Sequence, residues 1–458
     1  MLRRIFLKGI ICMDRTIAAI ATPYGVGGIS VIRVSGNRAI EIVDKIFTKN
    51  VLTADTHTVH YGFIKTGDEY IDEVLVTVMK GPKTFTGEDV VEIGTHGGIL
   101  VTNKVLDACV IAGAELAEAG EFTKRAFING KIDLARAEAV IDLINSDSQI
   151  AEQNAVNQLR GGLTKAIEDI RGNLVDLAAH MQVSIDYPDE DLEEITTEDI
   201  FNTIKNSCDK VNNLIKSADD GRIIKDGIRT VIIGKPNVGK SALMNTLAGY
   251  EKAIVTDIAG TTRDMIEENI SLGGIPIKLI DTAGIHDTVE AVEKIGVERS
   301  VKSIDGADLV LVILDGSHDI NDEDKLVIEK SNNTKRIIIA NKSDIGAVDS
   351  VKEIADVCIS AKTGDGIEEL TRLIMEMYKL GEISSKCGEI ITNIRHKKAL
   401  INCFEALQRA LNAIENDIPQ DLAAMDINLA IDSLGEITGE TVSEDIVSAV
   451  FKNFCVGK

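Results

Sequence analysis

A chain of 458 residues, 44% hydrophobic and 27% charged, carries enough apolar material for about three cores of ~150 residues each, which excludes wholesale disorder. Its formal net charge of −24, from 49 basic and 73 acidic residues, excludes broad electrostatic binding to nucleic acid, so such a role needs a local basic patch or a basic partner. There is no Trp to form a stacking platform, and the seven cysteines (Cys12, Cys109, Cys208, Cys358, Cys387, Cys403, Cys455) form no C-x-x-C, which suits a reducing cytosol better than disulfides or a zinc knuckle.

No apolar run approaches the ~20 residues of a membrane span. Residues 1–12 mix basic and apolar types without a small-residue cleavage site, so they read as an upstream extension, with organised sequence from near Thr16. From there to about 130 the chain is β-rich α+β. Ile29–Val34, Val74–Met79 and Val90–Ile93 have strand composition, separated by Gly/Pro turns at Thr22-Pro23-Tyr24-Gly25, Gly81-Pro82 and His96-Gly97-Gly98. The glycines of Gly25-Val26-Gly27-Gly28 could cradle a phosphate, but turn formation explains them as well and is the preferred reading.

From Ile132 to about Ile224 apolar residues recur at helical spacing (Leu134, Ala137, Ile141, Ile144, then Ile167, Ile170, Leu174, Leu177), with an acidic break at Tyr187–Asp191. The texture returns from about Asn393 to Phe454, interrupted near Asp417-Ile418-Pro419. Between these blocks, candidate strands at 229–233, 276–280, 309–314, 336–340 and 356–359 alternate with helical segments, which means a parallel sheet with crossover helices. The expected organisation is therefore 13–131 (β-rich α+β), 132–226 (first helical half), 227–380 (α/β nucleotide domain) and 381–458 (second helical half). The nucleotide domain is inserted into one helical domain whose halves pack together.

Gly234-Lys235-Pro236-Asn237-Val238-Gly239-Lys240-Ser241 reads G-x-x-x-x-G-K-S between the strand Thr230–Ile233 and helix-forming Ala242–Leu247. Such a turn aims backbone N–H groups and a helix N-terminus at a polyphosphate, with Lys240 on the β- and γ-phosphates and the Ser241 hydroxyl on Mg²⁺. Gly260-Thr261-Thr262-Arg263-Asp264 offers a threonine hydroxyl to Mg²⁺ when a γ-phosphate is present. Asp281-Thr282-Ala283-Gly284 offers an Asp near Mg²⁺ and a Gly N–H to the γ-phosphate. Asn341-Lys342-Ser343-Asp344 caps the strand Ile337–Ile339, where a carboxylate accepts from guanine N1–H and N2–H₂, donors that adenine lacks. Ser360-Ala361-Lys362 supplies N–H groups for guanine O6. Five motifs in this order specify GTP. The residue after D-x-x-G, a water-orienting Gln in Ras-like enzymes, is Ile285, which cannot hydrogen-bond, so Glu290 and Glu293 are candidates for that role.

With Ala21-Thr22-Pro23, Phe85-Thr86-Gly87-Glu88-Asp89, Gly120-Glu121-Phe122, Arg125-Ala126-Phe127, the Thr256–Asp264 loop and the tail Phe454-Cys455-Val456-Gly457-Lys458, the chain from Thr16 to Lys458 resembles the tRNA-uridine modification GTPases called MnmE or TrmE. That resemblance implies a cytoplasmic homodimeric hydrolase of acid anhydrides. With the FAD-dependent flavoprotein MnmG (GidA), it would place an aminomethyl-type or carboxymethylaminomethyl group on C5 of the wobble uridine of certain tRNAs. The one-carbon unit would come from 5,10-methylene- or 5-formyl-tetrahydrofolate, held by a tetrahydrofolate-binding-like first domain.

Carried over by motif, Arg33, Glu92, Lys131 and Lys458 form the folate site, and Cys455 has a chemical role in the modification. Glu293 orients the attacking water. K⁺ sits on Asn237, Thr256, Ile258 and Thr261, doing the charge work of an arginine finger, and Mg²⁺ on Ser241 and Thr262. The GTP site is Asn237, Val238, Gly239, Lys240, Ser241, Ala242, Thr256, Asp257, Ile258, Ala259, Gly260, Thr261, Thr262, Asp281, Thr282, Ala283, Gly284, Asn341, Lys342, Ser343, Asp344, Ser360, Ala361 and Lys362. Val456 departs from the pattern only conservatively, where Ile is common. The alternative is a switch GTPase of ribosome assembly, but the second G domain or basic RNA-binding module typical of that class is not visible. A membrane-associated dynamin-like GTPase lacks an anchor here.

Overall fold

The computed structural model describes residues 15–186, 196–250, 267–272, 275–280, 304, 306–378, 390–416, 418–452 and 454–458. The described residues fall into two units: one within Met1–Ile141, Gln158–Asn212 and Lys398–Lys458, the other within Asp142–Asn157 and Asn213–Lys397.

The first unit starts with β1 (Ile17–Ile20), β2 (Ile29–Ser35), α1 (Ala39–Ile46), β3 (Thr58–Thr66), β4 (Glu69–Met79), β5 (Val90–His96), α2 (Ile99–Ile111) and β6 (Glu115–Leu116). The strands form one sheet in the order β3-β4-β5-β2-β1-β6, antiparallel except where β6 runs parallel to β1. Period-two alternation in β2 sends Ile32 and Val34 into the core and leaves Arg33 on the other face, opposite Glu92 of β5. Helices α1 and α2 close the inner face, where Ile42, Val43, Val76, Ile93 and Val105 are fully buried. Strands β1, β3 and β6 were not anticipated from composition. The polar residues at Thr58, His60 and Lys65 mask the strand signal in β3.

The same unit continues through α3 (Glu121–Ile128) and α4 (Leu134–Ile144). Helix α5 (Gln149–Leu159) lies mostly in the second unit; α6 (Gly162–Asp186) is in the first, and α7 (Thr197–Asp226) runs from the first into the second. Residues 187–195, which hold the expected acidic break, lie outside the described residues.

The second unit is built on a sheet in the order β12-β11-β10-β7-β9-β8. Its members are β7 (Ile228–Ile233), β8 (Glu267–Leu272), β9 (Ile275–Ile280), β10 (Leu309–Asp315), β11 (Arg336–Asn341) and β12 (Val357–Cys358). All neighbours are parallel except β8, which is antiparallel to β9. Near-continuous apolar runs in β7, β10 and β11 follow from burial on both faces. Ile232, Leu311 and Ile339 fill one side, and Val231, Val312 and Ile338 the other. Its described helices include α8 (Lys240–Tyr250), α9 (Asp322–Lys330), α10 (Asp349–Lys352) and α11 (Ile367–Met377), and Ile150 of α5 and Ile224 of α7 join its core. The antiparallel edge strand β8 was missed, because the polar residues of Glu-Glu-Asn-Ile-Ser-Leu break the apolar signal.

The chain returns to the first unit in α12 (Ile394–Glu415), α13 (Gln420–Thr438) and α14 (Glu444–Lys452). Helix α13 packs along α6, so the two helical blocks meet as expected. Phe127, Leu134, Ala137, Val447, Phe451 and Phe454 share one cluster that ties α3 and α4 to α14 and the tail. Gly439 ends α13 at φ +91°, and a Cβ there would stand 2.7 Å from the Phe127 ring, so only glycine permits the stop. The fold is an α/β P-loop domain inserted in a helical domain and preceded by a β-rich α+β domain. Among the described residues no helix is long and apolar enough to cross a membrane.

Candidate functional site

The G-x-x-x-x-G-K-S turn leaves the C-terminal end of β7, between β9 on one side and β10 on the other. Chain winding reverses there, which is where open parallel sheets bind ligands. Asn237 adopts the left-handed conformation at φ +62°, which asparagine tolerates. Gly234 lies so close to β10 that a Cβ would stand 2.4 Å from Ile313 O, and at Gly239 it would stand 2.2 Å from Asn341 Nδ2. The turn opens onto the eleven-residue helix α8, with Lys240 first and Ser241 exposed beside it. The Lys240 ammonium donates to Gly234 O (2.9 Å) and Lys235 O (2.7 Å), a fork of donors that suits phosphate oxygens equally well.

The base-recognition motifs are wired to this turn. Asn341, buried at the end of β11, donates Nδ2 to Val238 O (2.7 Å) and accepts at Oδ1 from the Ala361 N–H (2.9 Å). One side chain thereby joins the phosphate loop, β11 and the Ser360-Ala361-Lys362 loop. The Ser360 hydroxyl donates to Asp344 Oδ1 (3.0 Å) and orients its carboxylate, while Thr246 of α8 donates to Ala361 O (2.6 Å). Of the residues expected at the GTP site, Asn237–Ala242, Asn341–Asp344 and Ser360–Lys362 are described within one unit. Thr256, Asp257, Ile258, Ala259, Gly260, Thr261, Thr262, Asp281, Thr282, Ala283, Gly284, Ile285, Glu290 and Glu293 lie outside the described residues.

Sequence reasoning missed Asp315, the last residue of β10. Lys342 sits at φ +69°, and its ammonium donates to Asp315 Oδ2 at 2.6 Å. Burial pushes the Asp315 carboxyl up, but the Lys342 ammonium and the Ser317 hydroxyl and amide outweigh it and hold it well below the usual carboxylate range. The pair is therefore intact at neutral pH, and its contribution is lost only as pH falls through that lowered value. The available signal was position: an acid at the carboxyl end of a strand beside the phosphate loop. We expect Asp315→Asn to raise the Kd for GTP and GDP together by about tenfold, the scale of one charge-assisted bond, with turnover at saturating GTP unchanged. Calorimetric titration checks this, and a loss confined to GTP would contradict it.

A second constellation forms in the other unit, with Arg33 and Glu92 side by side across β2 and β5. Arg33 Nε and Nη2 reach Glu92 Oε1 at 2.9 and 2.8 Å, and Nη1 donates to Gly457 O at 3.3 Å. The guanidinium lies 5.9 Å from the Phe85 ring centre and 5.7 Å from that of Phe122. The tail docks against β1 and the start of α3. Val456 pairs with Ala119, the Gly120 N–H donates to Cys455 O (3.3 Å), and a Cβ on Gly457 would stand 2.2 Å from Ile20 O. Burial pushes the Lys458 ammonium down and Arg33 adds to this, with Glu92 and Cys455 opposing. Arg33, Glu92, Lys458 and an exposed Cys455 thus meet at one place. Lys131 does not bond to that group. Its ammonium donates to Pro82 O (2.9 Å), and its stem flanks Gly87 of the loop that carries Phe85.

A parallel sheet with a phosphate loop at its switch point, cross-linked to a carboxylate-bearing base loop, defines a P-loop GTPase, which uses GTP and Mg²⁺. Residues 16–131 match the family described as GTP-binding protein TrmE N-terminus, and residues 134–455 match the MnmE helical domain. The chain is 47% identical over 456 residues to the tRNA modification GTPase MnmE of Acetivibrio thermocellus, covering 97% of this chain and 99% of that one. The figure is 46% over 452 residues for the protein of the same name from Lactobacillus helveticus, at 97% and 98%. The chain belongs to the tRNA modification GTPase MnmE family.

Proposed function

We propose that this GTPase is potassium-stimulated and works as a homodimer with the flavoprotein MnmG (GidA) in the cytoplasm. It adds an aminomethyl or carboxymethylaminomethyl group to C5 of the wobble uridine of certain tRNAs, with the carbon drawn from 5,10-methylene- or 5-formyl-tetrahydrofolate. The observation that carries this reading is the meeting of Arg33 and Glu92 with Cys455–Lys458 at the far end of the chain. Cations suit folate carboxylates, and a carboxylate suits pterin donors. A thiol beside them supplies a nucleophile.

In the nucleotide domain, Asn237 together with Thr256, Ile258 and Thr261 holds K⁺ near the phosphates, Ser241 and Thr262 hold Mg²⁺, and Glu293 orients the attacking water in place of the apolar Ile285. Asn237, exposed in its left-handed turn, and Ser241, exposed at the start of α8, are compatible with those roles. Nucleoside analysis of wobble uridines in a strain lacking this protein tests the proposal. The C5 modification is expected to disappear and to return with the wild-type gene. Unchanged uridines would refute the reading and favour a ribosome-assembly switch.

A further inference from the structure

The motifs Phe85–Asp89 and Gly120–Phe122 touch the Arg33 site through Phe85, Phe122 and Gly120, and together with Arg125–Phe127 they converge on one buried group of charges. Arg125 has 1% relative exposure. Its Nη1 reaches Glu88 Oε2 at 3.1 Å and Arg15 O at 3.0 Å, and its Nη2 reaches Glu121 Oε1 at 2.9 Å. Arg15 Nη2 donates to the same Glu121 oxygen at 2.8 Å, and its Nη1 reaches the exposed Glu115 Oε2 at 3.4 Å, so a second guanidinium shares Glu121. The Arg125 Nε is buried without a partner, so the fork is turned toward the two carboxylates at the expense of its third donor direction.

Each carboxylate holds a different piece of the Arg33 site. Glu88 accepts from the Ser35 hydroxyl (2.8 Å) at the end of β2 and fixes the loop whose Phe85 lies over Arg33. Glu121 accepts from the Glu118 N–H (2.9 Å) and fixes the turn at Ala119 and Gly120 on which the tail is seated. Only a planar, two-pronged cation can bind both carboxylates in this way; an ammonium is a point charge on a flexible stem. Buried ion pairs are poor sources of stability, which leaves placement as the better account of this group.

We propose that Arg125 is a positioning residue for the modification site: through Glu88 it sets the Phe85 loop, and through Glu121 it sets the seat of the Cys455–Lys458 tail. The proposal rests on the reading of Arg33, Glu92 and Lys458 as a ligand site, but the tail seat can be measured without it.

The test uses the full chain and the variants Arg125→Lys, Glu88→Gln and Glu121→Gln. Two readouts are the rate at which carboxypeptidase B removes Lys458, followed by intact mass, and the Kd for 5-formyltetrahydrofolate. Thermal melting and GTP turnover serve as controls for folding.

Glu121→Gln is expected to speed trimming at least tenfold. Glu88→Gln is expected to weaken the folate probe at least tenfold while leaving trimming within about twofold. Arg125→Lys is expected to do both, with GTP turnover within about twofold of wild type. A uniform loss that follows the melting temperature in all three variants would reduce the network to a structural role and overturn the proposal, as would trimming unchanged in Glu121→Gln and Arg125→Lys. If Arg125→Lys does not fold, the opposite patterns expected of the two glutamate variants still decide the matter. Failure of wild type to bind the folate probe would refute the folate reading alone, because trimming is read independently.

Discussion

Asp344→Asn is expected to raise the Kd for GTP by about 10²- to 10³-fold. Asp344 lies in the short turn Ser343–Ile345, and its Oδ1 is fixed by the Ser360 hydroxyl at 3.0 Å. Guanine presents two donors, N1–H and N2–H₂, to a carboxylate in that position. Bonds to a charged acceptor contribute about 1.5–3 kcal/mol each, so weakening both costs about 3–4 kcal/mol, which corresponds to the stated range. An asparagine offers one carbonyl and places an amide N–H₂ against a donor. The same amide can donate to the C2 carbonyl of xanthine, so the ratio of XTP to GTP affinity is expected to rise. Titration with both nucleotides checks the two statements, and a GTP Kd within threefold of wild type would remove Asp344 from base recognition.

Gly239→Ala is expected to lower GTP affinity at least 10²-fold by displacing Asn341. At φ +100° an L side chain is strained by about 1–2 kcal/mol. The new Cβ would also stand 2.2 Å from Asn341 Nδ2. Asn341 has to withdraw, which breaks its bonds to Val238 O (2.7 Å) and from Ala361 N (2.9 Å). A buried N–H left unpaired costs about 1–3 kcal/mol, and the phosphate and base loops lose their common tie. The readout is the rise in melting temperature on adding GTP, which reports binding to the folded state by mass action. Wild type should show a clear shift and the variant almost none. A full shift in the variant would show that the tie is dispensable.

The nucleotide site was legible because its motifs are local. Each couples a turn to the strand that carries it, and their order follows the strands of a parallel sheet. Gly234–Ser241, Asn341–Asp344 and Ser360–Lys362 could therefore be grouped from sequence, and the structure joins them by hydrogen bonds through Asn341 and Ser360. Asp315 and Thr246 could not, because neither belongs to a motif. They matter only because β10 ends beside β11 and α8 lies under the Ala361 loop. The edge strand β8 escaped for a related reason: an edge strand is held by one ladder partner, and its composition need not announce burial.

The sequence alone determined the class of nucleotide, the insertion of an α/β domain between helical blocks and the family, since all three rest on short-range periodicity and contiguous motifs. Tertiary structure decided how residues remote in the chain combine. Arg33 reaches Gly457 O because β2 and β5 pair in the register that sets Arg33 against Glu92, and because the Phe127–Phe451–Phe454 cluster brings the last helix back to α3. It also turned Glu88, Glu121 and Arg125 from isolated motif residues into one ion-paired frame, joined by Arg15. Register and long-range packing are collective properties of the fold, and no local window of residues encodes them.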